Sequence, residues 1–267
     1  MAIKGAIIGD IIGSQYEFER PKDFNYKTAL LLTDKCNFTD DTVMTLATKY
    51  AIEHNISFVN AYRMFGKKYP NVGYGSMFLD WIETDDMKPY GSYGNGSAMR
   101  VSYIADHYNN ISIISSVARE SAKCTHNSPE GIKGAVVTAT CIWMAKSGYS
   151  KSDILDYAIA QYPKEKYAYS PELPLDELKT FYHWDSTCQG SVPATIRCVY
   201  EANNYTEFIR NVFQLNCDTD TLCAIGGGIA EELFDNTYDE IIPFANKILK
   251  EYLDEFLLKC IKYSKII

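Results

Sequence analysis

Apolar residues recur at spacings of three and four along most of the chain, which is the periodicity of an amphipathic helix. The first clear stretch, over residues 43–54, places five apolar side chains on one helix face: Val43, Leu46, Ala47, Tyr50 and Ala51. The same periodicity predicts helices over 111–123, 131–146, 154–160, 195–201, 208–215, 222–234 and 241–263. No alternating β pattern of useful length interrupts them. The pattern therefore predicts an all-α protein.

The segments between these helices are short. Residues 21–33 form a polar and aromatic connector, 91–96 a glycine-rich loop, and 162–183 the longest irregular stretch. We interpret 162–183 as a lobe on the surface, because its aromatic residues need something to pack against. The apolar start of the chain contains Asp10 and no plausible cleavage site, so we interpret it as a buried segment rather than a secretion signal. With no internal repeat, a single domain over 1–267 is the simplest organisation.

Charge and cysteine content narrow the function classes. The 267 residues carry 26 Lys and Arg against 34 Asp and Glu, a net charge of −8, which argues against broad electrostatic binding to nucleic acid. No apolar run reaches the roughly 18 residues of a membrane span. The 8 cysteines are scattered without a C-x-x-C pair, which disfavours zinc and a disulfide scaffold. We therefore expect a reduced intracellular compartment, the cytoplasm.

Two short acidic motifs carry the clearest chemistry. The sequence F-T-D-D-T (38–42) directly precedes the helix over 43–54, and C-D-T-D-T (217–221) directly precedes the helix over 222–234. Helix capping explains one side chain in each motif, but two carboxylates and two hydroxyls are a surplus. If the two helix starts converge, four aspartates (Asp40, Asp41, Asp218 and Asp220) meet and need a compensating cation. Hard oxygen ligands of this kind favour Mg²⁺, Mn²⁺ or Ca²⁺.

Three weaker candidates accompany these motifs. Glu17 follows the apolar start and is a candidate general base, an outer ligand or a solvated residue. The glycines of G-S-Y-G-N-G-S (91–97) permit a close backbone approach to a ligand, and a helix starting at Ser97 would suit phosphate. His126 lies in C-T-H-N-S-P at the junction of two predicted helices, where a structural role and a ligand contact are both open.

Together these motifs resemble the ADP-ribosylglycohydrolase family. The resemblance spans nearly the whole chain, and its motifs come in the family's order: G-D-I-I-G-S-Q-Y-E, F-T-D-D-T, G-N-G-S-A-M-R, T-H-N-S, G-S-V-P and C-D-T-D-T. It implies a compact, single-domain orthogonal bundle of helices with two Mg²⁺ or Mn²⁺ ions. It also implies an enzyme that hydrolyses the bond between ADP-ribose and an acceptor, which is a protein or a small molecule.

The resemblance assigns roles residue by residue. The metal ligands it implies are Thr39, Asp40, Asp41, Asp218, Asp220 and Thr221. The catalytic set is Glu17, Asp40, Asp41 and Asp218, and either Glu17 or a metal-bound aspartate activates the water. The residues that it places around ADP-ribose are Tyr93, Gly94, Asn95, Gly96, Ser97 and His126. Residues 188–193 match a loop near the adenosine.

One departure from the family concerns the second metal motif, where many members have G-G-D-S-D-T. Here Asn216 and Cys217 replace the two glycines and Thr219 replaces serine, so we expect the new side chains to narrow the pocket or change the leaving group. Two other functions compete with ADP-ribose hydrolysis. One is a non-catalytic ADP-ribose-binding protein, and the other is a metal-dependent phosphohydrolase that cleaves the diphosphate.

Overall fold

A computed structural model describes residues 1–234 and 239–262. Its helices are α1 (Ala2–Ser14), α2 (Asp40–His54), α3 (Phe58–Lys68), α4 (Ser76–Glu83), α5 (Ser102–His107), α6 (Ile111–Lys123), α7 (Pro129–Lys146), α8 (Lys151–Gln161), α9 (Leu175–Phe181), α10 (Cys188–Tyr200), α11 (Tyr205–Phe213), α12 (Thr219–Leu233), α13 (Ala245–Tyr252) and α14 (Glu255–Lys262). Asn95–Ser97 and Ile242–Phe244 are short 3-10 turns. The described residues contain no strand beyond one isolated bridge between Gly94 and Thr187, so the all-α prediction is confirmed.

Helices α1 and α12 lie side by side at the centre of the molecule. A Cβ atom added to Gly9 would lie 2.1 Å from the carbonyl oxygen of Cys223, and one added to Gly5 would lie 2.2 Å from that of Gly227. The glycines therefore let the two backbones touch. Because α1 is buried on every side, its apolar residues need no helical periodicity, and the buried segment is a central helix. The main apolar core contains residues from most of the helices, and a smaller second cluster contains buried residues of α5, α6 and α7.

Several element boundaries differ from the prediction. The helix expected over 195–201 begins at Cys188 and passes through Pro193, so residues 188–193 are helical and not a loop. The single helix expected over 241–263 is divided into a 3-10 turn, α13 and α14, and its last residue lies outside the described ones. Short helices α3, α4, α5 and α9 were not predicted individually, since tertiary packing sets such short elements more than their sequences do.

The stretch 162–183 is less irregular than expected, because it contains α9. Leu175 and Leu178 on this helix are buried, and so are Tyr162 and Tyr182 at the two ends of the stretch. The segment therefore packs onto the core rather than forming a separate lobe. No described helix combines the length and hydropathy needed to cross a membrane.

Candidate metal centre and ligand cavity

The first acidic motif is held in place by a carboxylate of the central helix. Asp10 of α1 accepts hydrogen bonds from the backbone N–H of Thr39 (2.9 Å) and Thr42 (3.1 Å), and from their hydroxyl groups at 2.7 and 2.5 Å. Thr39 also caps α2, since its Oγ1 accepts the N–H of Asp41 at 3.2 Å. Asp10 thus positions the first acidic motif, a role that was not predicted from the sequence. A lone carboxylate within a buried apolar segment is the sequence feature that points to it.

The second motif meets the first across the core. The hydroxyl of Thr221, in the first turn of α12, donates to Asp41 Oδ2 at 3.1 Å, which joins the starts of α2 and α12. Asp218 Oδ2 accepts from Asn95 Nδ2 at 2.8 Å, which ties the same site to the glycine-rich loop. The structure therefore brings together two motifs whose joined residues, Asp41 and Thr221, are 180 positions apart in the sequence.

Glu17 lies on the same side as the second motif. Its carboxylate and those of Asp218 and Asp220 each offer one oxygen, and these three oxygens lie within 4.8 Å of one another. Glu17 is only partly buried, whereas both aspartates are buried. A group of this kind fits the oxygen ligands that divalent cations prefer.

The electrostatics of the site call for a cation. Burial raises the pKa of Asp10 to about 6, and burial with the charge of Asp218 raises the pKa of Glu17 to about 7. Burial and neighbouring carboxylates raise the pKa of Asp40, Asp41 and Asp220 well above the usual range. The described part of the chain forms no ion pair with these carboxylates.

One carboxylate oxygen of the site also lacks a hydrogen-bond partner. Asp41 Oδ1 is buried and has no hydrogen-bond partner, although a buried carboxylate oxygen without a partner is costly. A divalent cation would satisfy this oxygen and the uncompensated charge around it. The carboxylates gathered here therefore offer the hard oxygen donors that a divalent cation prefers.

This charge distribution predicts how stability depends on pH and metal. Because the folded pKa of Asp10 and Glu17 exceeds the unfolded value, the native state binds more protons than the unfolded state up to about pH 7. The free energy of unfolding of the metal-free protein is thus expected to fall as pH rises from 6.5 to 8. Added Mg²⁺ or Mn²⁺ stabilises the ionised carboxylates, so it is expected to raise Tm more at pH 8 than at pH 6.5.

Calorimetry of the EDTA-treated protein, with and without each cation, measures both effects. Buried His126, whose pKa is lowered, has the opposite effect on the free energy of unfolding. That effect is confined to pH values below about 6.5, where the histidine of the unfolded chain takes up a proton. A metal-free protein that grows more stable between pH 6.5 and 8 would contradict the prediction, as would a cation effect independent of pH.

A cavity of about 380 Å³ opens beside the carboxylates. Its lining includes the acidic and hydroxyl side chains Glu17, Asp40, Asp218, Asp220 and Thr221, and also Gly94, Asn95, Gly96 and His126. Aromatic side chains surround the rest, namely Phe18, Tyr74, Phe78, Tyr90 and Trp184. Asp41 and Thr39 lie behind the cavity wall. The cavity therefore combines a metal-ligating wall, a polar loop and flat apolar surfaces.

The glycine-rich loop is fixed to the start of α10. The N–H of Asn95 donates to the Ser186 carbonyl at 2.8 Å, and the N–H of Cys188 donates to the Tyr93 carbonyl at 2.9 Å. Asn95 Nδ2 also donates to Ser191 Oγ at 2.9 Å. These contacts hold the loop backbone against the cavity, where Gly94 and Gly96 leave space for a ligand.

Two of the six residues expected around ADP-ribose do not line the cavity. Ser97 is fully buried, and its hydroxyl donates to the Gly131 carbonyl at 2.7 Å, so it anchors the loop from behind. The Tyr93 side chain is 58% exposed and points away from the cavity wall. The condition under which Ser97 would offer free helix N–H groups to a phosphate, a helix starting at that residue, is not met. Asn95–Ser97 is a 3-10 turn and the next helix along the chain begins at Ser102, so no helix starts at Ser97.

His126 contacts the loop with its ring. A Cβ atom added to Gly96 would lie 3.3 Å from His126 Nε2, so only glycine fits beside the ring without displacement. Burial and the charge of Arg100 lower the pKa of His126 well below its usual value, so the ring is neutral. Arg100, which the motif search also missed, is buried over the Tyr62 ring at 4.1 Å and donates to Thr125 Oγ1 at 2.9 Å. The hydroxyl of Thr125 is in turn hydrogen-bonded to His126 Nδ1 at 2.7 Å.

The substitutions in the second motif do not narrow the cavity. Asn216 is exposed, and the Cys217 thiol is buried against the Val212 carbonyl, with Sγ 3.7 Å from the oxygen. Neither residue lines the cavity, so the expected effect on the pocket is absent.

Comparison with known proteins identifies the family. The family model described as ADP-ribosylglycohydrolase matches residues 1–230. The chain belongs to the ADP-ribosylglycohydrolase family. The match covers every element that contributes to the cavity and leaves only the C-terminal helices outside it.

Individual relatives differ in how much of the chain they cover. ADP-ribosylhydrolase ARH3 from Homo sapiens is 29% identical over 187 residues, which is 57% of this chain and 50% of that protein. The putative ADP-ribosyl glycohydrolase L543 of Acanthamoeba polyphaga mimivirus is 24% identical over 90% of this chain and 88% of its own. The alignment with ARH3 therefore spans only half of that relative.

A solved structure supports the fold. The ADP-ribosylglycohydrolase-related protein complex superposes with a TM-score of 0.72, covers 97% of this chain and 92% of its own, and is 19% identical. At that identity the likeness speaks for the fold alone. It shows that the bundle described above is an ADP-ribosylglycohydrolase fold.

Proposed function

We propose that this protein is a metal-dependent hydrolase that releases ADP-ribose from a modified protein or small molecule. It would cleave the bond at the anomeric carbon of the ribose. The observation that carries the proposal is that residues of two acidic helix starts, Glu17 and a glycine-rich loop all line one cavity. That arrangement matches a substrate with a sugar to be cleaved and a diphosphate to be held.

We propose two Mg²⁺ ions as the cofactor, with Mn²⁺ as a substitute. Asp40, Asp41, Asp218 and Asp220 would anchor them, and the hydroxyls of Thr39 and Thr221 would complete the ligand set. When bound, such cations supply Lewis-acid orientation of hydroxyl groups and lower the pKa of water. Two dications would reduce the formal net charge from −8 to −4.

The side chains of the cavity have separable roles in this proposal. Glu17 takes the proton of the attacking water, because its carboxylate lines the cavity and is partly exposed. The buried aspartates stabilise the positive charge that develops on the ribose as the bond breaks. Gly94, Asn95 and Gly96 hold the diphosphate, and remote binding of this kind lowers the barrier at the reacting carbon.

The neutral His126 and the outlying loop residues complete the substrate site. His126 Nε2 faces the glycines, so its ring bounds the space offered to the ligand. Ser97 supports the loop through Gly131, and Tyr93 lies next to it at the surface. We further propose that residues 1–267 form a single domain and that the protein acts in the cytoplasm.

Product analysis tests this function. Incubation with ADP-ribosylated peptide or small-molecule substrates and Mg²⁺ is expected to yield free ADP-ribose and an intact acceptor. EDTA is expected to stop the release, and Mg²⁺ to restore it. AMP with a ribose phosphate would instead identify a phosphohydrolase, and tight binding without turnover would identify an ADP-ribose-binding protein.

A further inference from the structure

The side chain of Arg20 donates hydrogen bonds to the residue before Glu17 and to the second acidic motif. Its Nε donates to the carbonyl oxygen of Tyr16 at 3.4 Å, directly before Glu17 in the chain. Its Nη2 donates to Thr219 Oγ1 at 3.2 Å, directly before Asp220, and its Nη1 donates to the Phe213 carbonyl at 3.1 Å. A single guanidinium therefore connects the segment that carries Glu17 to the segment that carries the second acidic motif.

Thr219 closes this arrangement into a ring. Its Oγ1 accepts from Arg20 and lies 3.3 Å from the carbonyl oxygen of Tyr16 and 3.1 Å from that of Cys217, to which its hydroxyl donates. The rings of Tyr16, Phe24 and Phe213 pack together directly below, with Tyr16 4.9 Å from Phe24 and 5.0 Å from Phe213 between centroids. Arg20 lies 4.9 Å above Phe24.

Residues 17–19, which lie between Tyr16 and Arg20, have few other anchoring contacts. Gln15 fixes the preceding turn, since its Nε2 donates to the Leu31 carbonyl at 2.9 Å and its Oε1 accepts from Thr33 Oγ1 at 2.8 Å. Phe18, next to Glu17, is 80% exposed. The carboxylate of Glu17 meets those of Asp218 and Asp220, and like charges at this separation repel. The bonds of Arg20 add to the Thr219–Tyr16 hydrogen bond in holding the two segments together.

We propose that Arg20 is the positioning residue that sets the distance of Glu17 from the second acidic motif. It acts through Glu17 and makes no contact with the cavity itself. The inference rests on the proposed function only in so far as Glu17 serves there as the base. The side chain is suited to this task because one planar guanidinium reaches three acceptors with fixed geometry, which an ammonium does not.

Kinetics of Arg20 variants test the proposal. Arg20→Ala is expected to lower kcat for ADP-ribose release about tenfold with KM nearly unchanged, because the base is misplaced while the loop still binds the diphosphate. Arg20→Lys is expected to recover part of the loss, since it retains one donor. Arg210→Ala is the matched control. Arg210 bonds the carbonyls of Tyr26 and Ala29 at 3.0 and 3.3 Å and so anchors the neighbouring connector.

A double-mutant cycle separates positioning from general support of the fold. In a Glu17→Gln background, Arg20→Ala is expected to change kcat by less than about twofold, because residues that act through one group are not additive. An additive tenfold loss in that background would overturn the proposal. So would a loss equal to that of Arg210→Ala. If Arg20→Ala fails to fold, the same cycle is read from Arg20→Lys.

Hydrogen exchange gives a measure that needs no activity. The amides of residues 15–20 are expected to exchange faster in Arg20→Ala than in the parent protein, and to be unaffected in Arg210→Ala. Unchanged exchange in Arg20→Ala would refute the positioning role. A parent protein that releases no ADP-ribose would instead refute the proposed function, and the exchange result would still decide the role of Arg20.

Discussion

Asp218→Asn is expected to lower kcat for ADP-ribose release by about 10³-fold, the scale of a lost preorganised electrostatic contact at a reacting centre. Asp218 is the acidic residue that both lines the cavity and bonds to the glycine-rich loop, through Asn95 Nδ2 at 2.8 Å. Asparagine keeps the size of the side chain and an oxygen that accepts this bond. It removes the negative charge, so the loss reports on the charge and not on the loop.

The same substitution is expected to weaken the binding of Mg²⁺ or Mn²⁺ in titration calorimetry. It is also expected to raise the stability of the metal-free protein at pH 8, because one of several mutually repelling buried charges is gone. Asp156→Asn, an exposed position on α8, controls for the loss of a surface charge. Turnover or cation affinity that matches the Asp156→Asn control would exclude Asp218 as a ligand.

The sequence predicts this site through the acidic side chains that helix capping does not explain. Each acidic motif has one more carboxylate than a helix start needs, and the surplus is what indicates a cation site. The structure brings these aspartates together through the contact of Thr221 with Asp41, which no periodicity describes. Local composition thus predicts the candidate residues, and the long-range fold supplies their arrangement.

The supporting residues were harder to predict, because their partners are distant in sequence. Asp10 is bonded to Thr39 and Thr42, and Arg20 to Thr219, and neither pairing follows from spacing along the chain. Arg100 appears in the sequence as the last letter of a loop motif, yet it is buried on Tyr62 and tunes His126. Such roles become visible only once the helices are packed.

The predicted helix boundaries differ from those of the structure where packing overrides the local sequence pattern. The family resemblance implied a loop over 188–193, but α10 begins at Cys188 and runs through Pro193, which lacks an N–H donor, with most of its residues buried. The apolar periodicity over 241–263 continued through the break between α13 and α14 at Leu253. Burial on every side removed the period from α1 altogether, so its glycines were the better guide to its place in the core.

Gly13→Ala is expected to lower kcat about 100-fold, which is the cost of displacing catalytic groups by about an ångström. An added Cβ atom at Gly13 would lie 2.5 Å from Asp220 Cα and 2.6 Å from the Thr219 carbonyl oxygen, both backbone atoms. Helix α12 must therefore move at the point where the second acidic motif begins. We also expect the substitution to reduce cation affinity and to destabilise the fold by about 1–3 kcal/mol.

Gly5→Ala provides the contrast, because Gly5 packs against the same helix eight residues earlier, about 12 Å along α1. Its added Cβ atom would lie 2.2 Å from the Gly227 carbonyl oxygen, so urea unfolding should show a similar loss of stability. Far from the carboxylates, that displacement is expected to leave kcat within about threefold of the parent. Equal losses of kcat in the two variants would mean that α12 moves as a rigid unit. The acidic motif would then owe its position to the whole helix pair and not to the contact at Gly13.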